Sequence, residues 1–168
     1  MSQISTDHNV LSIAVGGRSV GVRLDDIMEI VEPLPAVKVP LTDPLFIGLI
    51  TLRNTILPLV DLRALLQAGD RSLRKREDEK YVICSDADRM IALDVDAVGD
   101  FNKATRTLPI EKENSLIRFA VPAEGTDLPV LDIGGIIALV SAQNQIRRER
   151  AGYAPGRSYR GSTTTSLS

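Results

Sequence analysis

The chain has 168 residues, of which 43% are hydrophobic and 25% charged, an ordinary globular composition with room for one bilobed domain or two small ones. A formal net charge of −2, only three Tyr and three Phe, and no Trp argue against a face built to hold nucleic acid. A single cysteine, Cys84, excludes an internal disulfide, and no apolar run has the length of a membrane span or a secretory h-region, so the expectation is a soluble, cytoplasmic protein.

Residues 1–9 are polar and read as a flexible lead-in. From Val10, the segment VLSIAV, then Gly16-Gly17, then RSVGVRL predicts a hairpin, because both glycines can take the positive φ of a two-residue type I′ turn. DIMEIVEP and AVKV continue as short extended pieces, with Pro33, Pro35, Pro40 and Pro44 denying a long helix. FIGLITL and TILPLV predict a second hairpin around Arg53-Asn54. Asp61 then follows a strand and precedes an apolar segment, the position of an N-cap, so a short helix is expected over about residues 62–68. Residues 70–80 are dense in both charge signs and read as a solvated linker. Strands follow in the second half, and a terminal helix is expected to start late, near Ile136, because Gly134-Gly135 disfavours helix. Residues 151–168 are rich in Gly, Ser, Thr and Arg and read as a disordered tail.

The two halves repeat each other. TILPLVDL at residues 55–62 and TDLPVLDI at residues 126–133 share Thr, Leu, Pro and Asp at an offset of 71 positions, and the same offset lays Arg18 on Arg89, Val22 on Leu93 and Ile27 on Val98. Two matches at one offset imply a duplicated unit of a size that is marginal on its own, so the units should pack together. The expected architecture is all-β, with lobe 1 over about residues 10–69 and lobe 2 over about residues 81–143.

Catalytic constellations are missing from the sequence. The lone His8 lies in the lead-in, and Cys84 sits in the strand-like KYVICS and reads as a small buried apolar side chain. DVDAVGD, residues 94–100, fails as a calcium loop because Val98 holds a ligand position and Thr105 stands where the bidentate Glu belongs. Gly16-Gly17-Arg18-Ser19 lacks the Gly-Lys pair of a phosphate loop. No cofactor and no metal are expected. Arg53 at the tip of its turn and Glu29 within DIMEI are the polar residues set among apolar ones; either can be structural or can read a partner.

Several spaced motifs carry a resemblance over about residues 10–143. DIMEI (26–30), Pro40 and Pro44 ahead of Phe46-Ile47-Gly48, Leu52-Arg53, and PLVDLR (58–63) resemble the first half of the CheW coupling-protein family. VDAV (95–98) and GTDLPVLDI (125–133) resemble its second half. Asn54 stands where the family's N-L-R-G has Gly, and Ala97 where its VDxV has Gly; Asn is the next most tolerant residue of a left-handed conformation.

The resemblance implies two SH3-like five-stranded β-barrels and no catalytic activity. It implies an adaptor that couples methyl-accepting chemoreceptors to a CheA-type histidine kinase, held at membrane-associated arrays without inserting in the membrane. By the same resemblance, Ile27, Gly48, Arg53 and Asn54 meet the cytoplasmic receptor tip, Val31, Val37 and Val39 face the kinase, and the region of Asp96 and Ala97 makes further array contacts. A scaffold of another chemosensory pathway, such as surface motility, would share these motifs. A small-barrel nucleic-acid binder is the remaining alternative, and the acidic, aromatic-poor composition disfavours it.

Overall fold

Ten strands form two five-stranded sheets in the computed structural model, which describes residues 7–40, 42, 44–69, 75, 77–110 and 116–150, with side chains up to residue 144. In chain order they are β1 (His8–Val15), β2 (Arg18–Arg23), β3 (Ile27–Val31), β4 (Phe46–Leu52), β5 (Thr55–Asp61), β6 (Lys80–Asp86), β7 (Arg89–Val95), β8 (Ala97–Ala104), β9 (Ile117–Ala123) and β10 (Thr126–Leu131). Helix α1 (Leu62–Leu65) follows β5, helix α2 (Ile133–Arg150) follows β10, and a 3-10 turn, Leu24–Asp26, joins β2 to β3. The fold is mostly β, as the short apolar runs and prolines indicate.

The turns follow local chemistry. Gly16 and Gly17 have φ of 58° and 79°, and Arg53 and Asn54 have φ of 48° and 66°, so both hairpins close through pairs of left-handed residues. Pro58 sits opposite Leu49 of β4, whereas the parallel ladder of β5 with β7 begins only at Leu59, so its missing N–H removes no bond from that ladder. Asp61 accepts the Ala64 N–H at 3.2 Å and Asp132 accepts the Gly135 N–H at 3.1 Å; both repeated aspartates are N-caps.

The duplication holds at the level of register. Val37 bridges Leu49 as Leu108 bridges Ala120, Leu59 pairs Ala92 as Val130 pairs Gly21, and the Phe46–Val60 pairing beside a bulge recurs as Ile117–Leu131. Each of these relations repeats at the offset of 71.

Four sequence expectations differ from the structure. The sheets do not coincide with the halves: one has the order β8-β1-β2-β10-β9 and the other β3-β6-β7-β5-β4, so each half lends its first hairpin to the sheet completed by the other. The largest core cluster then lies between the sheets, with Ile13, Val15 and Val22 on one side and Val60, Val82 and Leu93 on the other. Helix α2 covers this core with Ile133, Ile136, Ile137 and Val140, and full burial of each such side chain contributes on the order of 1.5–3 kcal/mol.

Second, α2 begins at Ile133, before both glycines, because Asp132 caps it and because a Cβ at Gly134 would lie 2.8 Å from the Asp86 carboxylate. Third, β1 starts at His8, inside the expected lead-in, since His8 and Asn9 pair with Ala104 and Lys103 of β8 and the His8 ring tilts against Phe119 at 5.1 Å. The first expected helix is also shorter, ending at Leu65 ahead of the left-handed Gln67. Residues 1–6, most of the charged stretch (70–74 and 76) and the tail 151–168 lie outside the described residues.

Hairpin exchange makes a testable claim about the lobes. A protease site inserted between residues 71 and 74 and cut after purification should leave one species on gel filtration, with the halves separating only in denaturant and a melting temperature that depends on concentration. Two halves that separate and stay folded would show that the core is not shared.

Candidate partner-binding site

Two faces of the β3-β6-β7-β5-β4 sheet gather most of the residues the sequence singled out. The β4–β5 turn carries Arg53 and Asn54 at its tip, and the positive φ at both residues directs the Arg53 side chain outward, leaving it 77% exposed. Its guanidinium donates to Glu29 Oε2 of β3 at 2.8 Å. Since β3 and β4 are the two edges of this sheet, the ion pair ties one edge to the other. An exposed pair of this kind contributes at most about 1 kcal/mol, so its placement matters more to recognition than to stability.

Gly48 is buried under the segment that connects β3 to β4. Val37 and Leu49 exchange two backbone hydrogen bonds of 2.8 Å, and a Cβ on Gly48 would lie 2.5 Å from the Val37 carbonyl oxygen. Glycine is needed there for close approach of two backbones. Gly48 therefore positions Val37 and does not itself present a side chain to a partner.

An apolar face follows from the pairing. Val37 lies opposite Leu49, Thr51 follows Leu49 by two residues, and Ile56 lies opposite Thr51, which puts all four on one face of the strands. Val37 is 69% exposed and Ile56 65% exposed. Ile56 was missed by the sequence reading; the signal was available, because it alternates with the inward Leu57 and stands beside the Arg53 turn.

The other singled-out residues are placed less openly. Val31 is partly buried and packs on the core inside this sheet, with Ile50, Leu57 and Ile83. Val39 is partly buried, and its carbonyl accepts from the Thr42 hydroxyl at 2.9 Å. Ile27 pairs with Cys84 and packs against the inter-sheet core, while the next apolar residues of β3, Met28 and Ile30, are 56% and 40% exposed. Burial, with the nearby Asp26 carboxylate, pushes the Cys84 thiol well above the usual range, in keeping with a core side chain.

Asp96 is drawn inward. Its carboxylate pairs with Arg63 of α1, only 5% exposed, and accepts the Gly16 N–H at 2.7 Å, while the Asp96 N–H donates to the Ala14 carbonyl at 2.9 Å. Around it the β1–β2 turn touches the segment that follows α1 so closely that a Cβ on Gly16 would lie 2.1 Å from the Ala68 carbonyl oxygen. Arg63 is the residue sequence reading passed over, although a lone cation in the apolar run LRALL was its signal.

A family model described as the CheW-like domain matches residues 9–141. A chemotaxis protein CheW from Helicobacter pylori is 24% identical over 97 residues, which are 58% of this chain and 58% of that protein. The chain thus spans about three fifths of the length of that curated relative. The crystal structure of the scaffolding protein TtCheW from Thermoanaerobacter tengcongensis superposes with a TM-score of 0.70 at 19% identity, covering 76% of this chain and 90% of that one, a likeness of fold. No helix among the described residues is long and apolar enough to cross a membrane.

Proposed function

Since this chain belongs to the CheW-like family, we propose that it is a non-catalytic adaptor that couples the cytoplasmic tips of chemoreceptors to a CheA-type histidine kinase. The observation that carries this reading is the presence on one sheet of two separate presentations, a charged corner at Arg53 and Glu29 and an apolar face at Val37 and Ile56. A coupling protein needs two docking chemistries that do not exclude each other. In this reading the charged corner, with Asn54 and the neighbouring β3 strand of Ile27, meets the receptor, and the apolar face meets the kinase. Val31 supports the kinase face from the core inside this sheet, Val39 extends that contact, and Gly48 fixes the height of Val37. Work at the membrane then comes from recruitment by receptors and needs no insertion.

The test is titration of the purified protein with a CheA-type regulatory domain and, separately, with a receptor signalling fragment. Ile56→Lys together with Val37→Lys should weaken kinase binding by on the order of 2–4 kcal/mol, the range of central apolar anchors. Receptor binding should stay within about twofold, because both substitutions lie on the exposed apolar face. Unchanged kinase affinity in the double variant would remove the assignment of that face.

A further inference from the structure

The duplication gives the chain two crossovers between its sheets, and they are built differently. Val95-Asp96-Ala97 leads from β7 to β8, and its counterpart at the offset of 71, Leu24-Asp25-Asp26, leads from β2 to β3. At the first of these, Asp96 is held by the buried Arg63, by the Gly16 N–H and by the Ala14 carbonyl. The cation has no equivalent at the other, since Arg63 corresponds to Gly134; Gly16 and Ala14 correspond to Ala87 and Ser85, which offer the same backbone groups. Asp25, the counterpart of Asp96, has a side chain 90% exposed that reaches Arg23 at 3.9 Å.

Asp26 does not supply a substitute lock. It lies 3.6 Å from Arg23, and burial, with Asp25 and Asp86 nearby, holds its carboxyl above the usual range despite the attraction of Arg23 and Arg118. The ladders of the strands that leave the two crossovers are matched, although β3 also carries the exposed Glu29–Arg53 pair. Both β3 and β8 are edge strands with a single ladder partner; Ile27 pairs Cys84 as Val98 pairs Ile13, and Ile30 pairs Val82 as Phe101 pairs Leu11, with a bulge at the same place. Any difference in their behaviour must come from length and anchoring, and β3 is the shorter, with five residues against eight.

We propose that the Leu24–Asp26 crossover is the compliant joint of the fold, so that β3 opens and readjusts against β6 while β8 is held by the Asp96–Arg63 lock. β3 carries Ile27 and Glu29, so a receptor would meet an adjustable strand; that consequence rests on the function proposed above, whereas the joint itself does not.

Hydrogen exchange on the full chain tests it. Amides of Glu29, Ile30 and Val31 should exchange faster than their counterparts Asp100, Phe101 and Asn102 by on the order of tenfold after correction for intrinsic rates. Asp96→Asn should bring the β8 amides toward the β3 rates and leave β3 unchanged. Equal protection of the two strands in the wild-type chain overturns the proposal, and that comparison decides even if the variant fails to fold. Equal acceleration of both strands in Asp96→Asn also overturns it, since that would be general destabilisation. If the wild-type asymmetry holds but a receptor fragment leaves β3 exchange unchanged, the joint stands and the receptor role of β3 fails.

Discussion

Asp96→Leu should lower the unfolding free energy by about 3–5 kcal/mol, the cost of leaving a buried charge without its partner. The buried charge is Arg63, 5% exposed and carried by α1 beneath the β1–β2 turn. The substitution also strands the Gly16 N–H, which donates to Asp96 at 2.7 Å, adding roughly 1 kcal/mol or more if water does not replace the acceptor. A second substitution, Arg63→Met, should recover most of the loss in the Asp96→Leu background, because two well-packed apolar side chains can replace an ion pair at little net cost. Equilibrium urea unfolding of the four proteins gives both numbers, and the coupling between the sites is their non-additivity. Salt should change the single-variant effect little, since a buried pair is weakly screened. A loss under about 1 kcal/mol for Asp96→Leu would place Arg63 in the class of exposed pairs and dissolve the lock.

The second large effect concerns binding, with folding nearly untouched. Arg53 is 77% exposed and pairs with Glu29, so Arg53→Glu should cost no more than about 1 kcal/mol of stability. Against a receptor tip the same change reverses the charge that the proposed site presents. Loss of a buried charged contact amounts to about 2–5 kcal/mol, or roughly thirtyfold to several-thousandfold in affinity. Kinase affinity should persist, because the contact proposed for the kinase is apolar, through Val37 and Ile56, and does not use the guanidinium. The charge-swapped pair, Arg53→Glu with Glu29→Arg, separates the two roles of the guanidinium. It restores an ion pair between the sheet edges, so stability should return while receptor affinity stays low. Wild-type receptor affinity for Arg53→Glu would refute the assignment, and recovery of affinity in the swapped pair would show that Arg53 acts only by holding β3.

Much of the site was legible because its signals are local. Arg53-Asn54 could be placed at a turn tip since two apolar runs converge on it, and the tolerance of Asn for left-handed backbone is an intrinsic property. Ile27 and Glu29 were placed on an extended segment for a similar reason. What was not legible is who stands next to whom across the sheet. Glu29 and Arg53 are 24 positions apart, and nothing in either segment states that their strands form opposite edges of one sheet. Gly48 was expected to meet the receptor tip, and its close approach to the Val37 carbonyl, across eleven positions, was not legible either.

The sequence by itself determined the strand-rich class, the turns at Gly16-Gly17 and Arg53-Asn54, the cap at Asp61, and the duplication whose offset the pairing register follows. Each depends on residues close in the chain or on their exact recurrence. Only the tertiary structure decided that the first hairpin of each half belongs to the other half's sheet. The β1–β2 and β6–β7 hairpins carry matching apolar alternation, so either could complete either sheet by pattern alone. The exchanged arrangement places a common core between the sheets, under α2, and brings Asp96 onto Arg63 from 33 positions away. Burial of that shared surface and the pairing of that charge are long-range energies, and they exist only once both halves are in place.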